Sequence, residues 1–248
     1  MPLSAKAFQA WLHRVAPAAS TADICRISGI KRTTLAQQLV RGKVAEITLV
    51  SISRALHRSP LADLGSFESY PELAGQPRPP TAAELVSQIA TMDLLRAVIS
   101  RSSPAYGGFG DESSSRTPAL GPAPHATSVR NWVDAIDDGE LRHRVSAATG
   151  VAPQNYSAQL TANRLSAELA VATSRAAGVG FTGGLVATGL ISEAEAGWHP
   201  GAKQAALDAL SDGELTALAG ERLQSLGRFL RRQEQENEQT KTILENLG

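Results

Sequence analysis

The stretch STADICRISGIKRTTLAQQLV, residues 20–40, decides the fold. Ser20, followed three residues later by Asp23, has the spacing of a helix N-cap, and the helix it opens runs through Ser28. Gly29 then breaks the helix at a position where a left-handed backbone is needed and only glycine adopts it without strain. A further helix covers Arg32 to Val40, with Leu35 and Leu39 as its apolar anchors. Cys25 supplies the small residue that lets the two helices cross closely, and Ile30 is the apolar residue just past the turn. Two short helices joined in this way make a helix-turn-helix unit.

Working outward, Phe8, Trp11, Leu12 and Val15 recur at i, i+3, i+4 and i+7, one face of a preceding helix. Its pattern over Met1 to Pro17 carries Lys6 and Arg14 and does not read as a secretory signal. A helix from about Glu46 to His57 turns Leu49, Ile52 and Leu56 inward, and Pro60 starts a turn that brings Leu61 and Leu64 to the core. After a Pro-rich joint, Gly75 to Pro80, the capping box Thr81 to Glu84 opens one further helix bearing Leu85, Ile89, Leu94, Val98 and Ile99.

The same unit recurs. Shifted by 121 positions without gaps, Trp11 falls on Trp132, Gly29 on Gly150, Gln38-Leu39 on Gln159-Leu160 and Ser53-Arg54-Ala55 on Ser174-Arg175-Ala176. Apolar positions keep step, as in Ile24/Val145, Leu35/Tyr156 and Leu64/Leu185. A fixed-period match of this kind marks duplicated structure. The chain is therefore expected to be all-α: two tandem helix-turn-helix domains, a flexible linker and a C-terminal helix. The expected boundaries are 1–101 for the first domain, 102–127 for a Ser/Gly/Pro linker, 128–227 for the second domain and 228–248 for a polar C-terminal helix. Capping boxes at Ser192/Glu195 and Ser211/Glu214 open trailing helices of the second repeat, and no stretch alternates with period two, so no sheet is expected.

Net charge is zero over 248 residues, but it is segregated. Residues 1–60 carry nine Lys/Arg against Asp23 and Glu46, a net +7, and the remainder carries −7. A basic module of this kind faces a polyanion. The second repeat, 128–180, is balanced: Arg130, Arg142, Arg144, Arg164 and Arg175 against Asp134, Asp137, Asp138, Glu140 and Glu168.

Cys25, Gly29, Ile30, Leu35 and Leu39, with Ser146, Gly150, Val151, Tyr156 and Leu160 in the second repeat, resemble the Cro-like and lambda-repressor-like helix-turn-helix family, in particular the small immunity-type repressors of actinobacterial phages and prophages. The resemblance covers residues 5–65 and, more faintly, 126–186. It implies a sequence-specific transcriptional regulator that binds double-stranded DNA and represses by covering an operator. With the family geometry, Arg32 would bridge guanine O6 and N7, and Gln37 or Gln38 would pair with adenine. Thr33 and Thr34 would touch phosphate or a thymine methyl, and Lys31, Arg41 and Lys43 would fix position on the backbone. A second DNA site would use Gln154, Asn155, Ser157 and Arg164. The competing reading is a protein-interaction module, antitoxin-like or an exclusion factor, in which DNA binding is secondary or absent.

Other features read blandly. Gly178 to Gly183 matches G-x-G-x-x-G but follows a helix, not a strand, so it is a glycine-rich turn and implies no cofactor. Cys25 is a buried structural thiol, the five histidines lack metal-ligand spacing, and Asp137-Asp138 sit in a turn, so no catalytic set, metal site or enzyme is expected. A single cysteine and the absence of any apolar run near the ~18 residues that span a bilayer point to a cytoplasmic protein without a membrane segment. Leu223, Leu226, Leu230, Gln233, Asn237, Thr240, Leu244 and Leu247 trace a heptad seam, with Asn237 at an a position, which makes the C-terminal helix a candidate homodimer contact.

Overall fold

Where helices start and stop sets this architecture, and several starts have a local cause. In the computed structural model, which describes residues 2–102 and 119–247, Ser20 Oγ accepts the Asp23 N–H and opens α2, Thr21–Ser28. Gly29 ends it at φ +71°. Around this pair lie α1, Ala5–Val15; α3, Arg32–Val40; α4, Glu46–Ala55; and α5, Pro60–Gly65. A 3₁₀ turn at Pro71–Leu73, α6 at Ala82–Ser87 and α7 at Thr91–Ser102 complete the first half.

The second half repeats the order: α8, Ser128–Ile136; α9, Leu141–Thr149; α10, Pro153–Thr161; α11, Ala167–Ala177; α12, Thr182–Ala187; α13, Ala202–Asp208; and α14, Asp212–Leu247. With the 121-residue shift, α3 falls on α10 residue for residue, and Gly150 repeats Gly29 with φ +71°. The duplication reaches further than the sequence match, because α6 and α7 fall on α13 and the start of α14. Among the described residues the fold is all-α, with one small exception. Leu3–Ser4 (β1) pairs antiparallel with Lys43–Val44 (β2), Leu3 opposite Val44 and Ser4 opposite Lys43. Two residues per strand are too few for period-two alternation to register in a sequence, which is why no sheet was expected.

Equivalent positions build equivalent cores. Trp11 and Trp132, Ile24 and Val145, Leu35 and Tyr156, and Leu64 and Leu185 are all buried. The repeats differ at one polar hub. Asp63, only 3% exposed, accepts from Trp11 Nε1 (3.2 Å), Ser53 Oγ (2.8 Å) and Arg58 Nη2 (2.8 Å). Burial pushes its carboxyl up, but the Arg58, Ser53 and Trp11 donors outweigh it and hold the group below the ordinary aspartate value. The matching position in the second repeat is Gly184, where an added Cβ would lie 2.5 Å from the Trp132 ring. Trp132 Nε1 donates instead to Glu84 Oε1 of α6 (3.2 Å), and Ser174 Oγ, the counterpart of Ser53, is buried with no hydrogen-bond partner among the described residues.

The described chain forms two compact units that cut across the expected domains. The first, Met1–Gln88 with Pro122–Ala202, holds α2 and α3 together with α9 and α10, because α6 packs on α8. The second, Ile89–Gly121 with Lys203–Gly248, has α7 against α14 over a core of Ile89, Leu94, Leu207, Leu215 and Ala219. Within it, Arg101 donates to the carbonyls of Leu207 (2.9 Å), near the end of α13, and Leu210 (2.6 Å), just beyond it.

Four sequence expectations need revision. The helix started by Thr81 stops at Gln88, and Leu94, Val98 and Ile99 belong to α7, because Ser87 Oγ turns back to the Glu84 carbonyl and Gln88 Nε2 reaches the Ser128 carbonyl. Of the expected linker, 103–118 lie outside the described residues. Residues 119–127 have fixed partners: Ala123 N–H donates to Glu193 (2.8 Å) and His125 N–H to Ser128 Oγ (2.6 Å). The reciprocal Ser192/Glu195 bonds form, but close a turn and not a helix. The boundary at 228 falls inside α14, which runs unbroken from its Ser211/Glu214 box. Along the expected seam Leu223, Leu230, Gln233 and Asn237 are exposed and Leu226 is half-buried, while the side chains of Thr240, Leu244 and Leu247 lie outside the described set. Among the described residues no helix is long and apolar enough to cross a membrane.

Candidate nucleic-acid interface

α3 is held by one buried side chain. Leu35 is fully buried and Leu39 half-buried, while Arg32, Thr33, Thr34, Ala36, Gln37 and Val40 are exposed. Thr33, Ala36, Gln37 and Val40, at helical spacing, form one outward stripe, with Arg32 and Thr34 beside it in the first turn. The helix has no side-chain cap and no acid in its first turn, so its N-terminal N–H groups and positive dipole end are not offset there. A negatively charged ligand is favoured at such an end.

Lys31 precedes the helix, Arg41 ends it and Lys43 follows on β2; all three are exposed. Among the described residues, none of Lys31, Arg32, Arg41 and Lys43 enters an ion pair. Arg26, Arg54 and Arg58 of the same repeat do, with Asp23, Glu195 and Asp63. The antiparallel pairing of β2 with β1, reinforced by Ala5 N–H to the Gly42 carbonyl (3.0 Å), fixes the backbone that carries Lys43.

The sequence-predicted residues therefore divide. Lys31, Arg32, Thr33, Thr34, Gln37, Arg41 and Lys43 share the exposed basic end and outer face of α3. Gln38 is half-buried, and its Oε1 accepts the Ala45 N–H (3.3 Å), so this amide ties α3 to the start of α4. Val40, 89% exposed, is not among the sequence-predicted residues, and with Ala36 it adds apolar surface to the same stripe. Its signal was available: position 40 lies off the Leu35/Leu39 face.

In α10, Pro153 opens the helix, Gln154, Asn155 and Thr161 are exposed, Ser157 is half-buried, and Arg164 follows exposed. The other arginines of this repeat, apart from Arg164, are already paired with acids of the chain. Arg130 pairs with Asp134, Arg142 with Asp134 and Asp137, Arg144 with Asp138, and Arg175 with Glu72. The face is hydrogen-bonding but electrostatically quiet. Gly178 to Gly183 forms the left-handed end of α11 and the start of α12, the turn its sequence context indicated. Cys25 is buried, and no group of His, Cys, Asp and Glu able to hold a metal occurs among the described residues.

Among the described residues the protein is all-α, with a repeated order of helices and an exposed basic end on α3 of the first repeat. Compared with known proteins, the chain matches no family model, no curated protein and no solved structure.

Proposed function

We propose that this protein is a sequence-specific regulator that binds double-stranded DNA through α3 of its first repeat, a repressor of the phage immunity type that acts by covering an operator. The observation that carries the reading is the set Lys31, Arg32, Arg41 and Lys43, four exposed cations that have no acidic partner among the described residues, around a helix whose exposed first turn is polar. Phosphate contacts supply most of the affinity in such complexes, and base-edge contacts from the first turn supply the sequence preference. Occlusion needs no chemistry from the protein.

Salt tests the reading. Binding of the full chain to fluorescent duplex DNA should weaken steeply between about 50 and 200 mM salt, by a factor of about 10² or more if several phosphates are contacted. An affinity that barely responds to salt would favour the protein-interaction reading, which draws on the exposed apolar side chains Ile27, Val40 and Ile47 around α2 to α4. Pairing of two chains through α14 is a separate proposal resting on exposed Leu223, Phe229 and Leu230, and sedimentation of the protein without DNA decides it.

A further inference from the structure

The two repeats exchange equivalent contacts within the first compact unit. Arg54 of α4 binds Glu195 through two bonds, Nε to Oε1 (2.6 Å) and Nη2 to Oε2 (2.7 Å), and also donates to the Leu190 carbonyl (3.2 Å). Arg175 of α11 occupies the same position in the second repeat and pairs with Glu72. Each arginine thus reaches an acid in the segment beyond the fifth helix of the other repeat, the two acids lying two residues out of strict register. Reciprocal contact of one surface with its own copy is the property of a two-fold interface. The first repeat also grips the second through α6: Glu84 accepts from Trp132, and Gln88 Nε2 donates to the Ser128 carbonyl (3.2 Å).

Dimeric helix-turn-helix proteins present two reading helices to half-sites one helical turn apart. We infer that the second repeat stands in for a partner subunit, so that a single chain holds α3 and α10 at a fixed separation and reads one bipartite, non-palindromic duplex site. The inference rests on the DNA-binding reading above. The half-sites differ as the helices do. Where α3 begins Arg32-Thr33-Thr34, α10 begins Pro153-Gln154-Asn155, two exposed amides that match the adenine N6/N7 edge, with Arg164 beyond them to meet a phosphate. Internal pairing of the other second-repeat arginines makes α10 the weaker reader, dependent on α3 for its local concentration.

The test uses the full chain to select duplexes from a pool randomised over ~40 base pairs, followed by hydroxyl-radical footprinting of the enriched duplex. Two protected blocks at constant spacing are expected. Inserting ~5 base pairs, half a turn, between them should lower affinity at least ~10-fold, because rigidly held helices cannot follow. Gln154→Ala with Asn155→Ala should remove the second block alone and weaken binding by roughly 3- to 10-fold. Arg54→Glu with Arg175→Glu should reduce the penalty of the insertion, and adding Glu195→Arg and Glu72→Arg should restore it. The Gln154/Asn155 variant alters only exposed side chains, so it decides the question even if the reversed pairs do not fold. A single block beneath α3, or an insertion tolerated within ~2-fold by the unaltered protein, overturns the bipartite site while leaving DNA binding intact. Failure to enrich any duplex overturns both.

Discussion

Ser53 and Ser174 occupy the same place in the two repeats, yet only Ser53 has work to do. Ser53 Oγ donates to the buried Asp63 carboxylate, whereas Ser174 Oγ is buried with no partner among the described residues, because the position matching Asp63 is Gly184. Ser53→Ala should therefore cost roughly 1–2 kcal/mol, while Ser174→Ala should be neutral or slightly stabilising, as a shift in urea midpoint will show. On the proposed reading face, Arg32→Ala should cost about 1–3 kcal/mol on the selected duplex and relax preference at one base position. Lys43→Ala should weaken all sequences alike and lower the salt slope by about one, which a titration across duplex variants separates. The exposed residues of α3 were legible in the sequence, since any polar side chain off the Leu35/Leu39 face had to point outward. The tie from Gln38 to Ala45 was not, because it depends on where the chain turns after the helix.

Among the elements, the turn glycines and the packed glycines separate by cause. Gly29 and Gly150 have φ +71° and open space where a Cβ would go, so an alanine at either meets only backbone strain, roughly 1–2 kcal/mol. Gly184→Ala drives a Cβ to 2.5 Å from the Trp132 ring and 3.0 Å from Ala170 Cβ, adding an overpacking cost of about 1–3 kcal/mol without any strain in φ. Thermal melts of the three variants should show Gly184→Ala at least as damaging as the other two. Helix starts were read well because a cap is a contact over three residues: Ser20, Thr81 and Ser211 all bond as their spacing indicated. The break between α6 and α7 was not legible, since the bond that stabilises it joins Gln88 to Ser128, 40 residues away.

For the whole molecule, the joint between the repeats has a pH signature. The Arg54 guanidinium foremost, helped by the Ser192 backbone against the opposing effect of burial, holds the Glu195 carboxyl down to about 2 from an ordinary 4.5. A folded-state value below the unfolded one means that the contribution is complete above about pH 4.5 and is lost as pH falls towards 2. Melting temperature should decline over that window, and Arg54→Gln should flatten the decline. Duplication, helix content and the segregation of positive charge into residues 1–60 follow from the order of residues alone, because periodicity, caps and charge counts are local or additive quantities. That the repeats share one compact unit, that Glu84 replaces an aspartate missing from the second repeat, and that Arg54 and Arg175 cross over to each other's repeat were decided only by the folded chain. Contacts between residues far apart in sequence leave no spacing to read: they depend on which surfaces meet once every helix has formed.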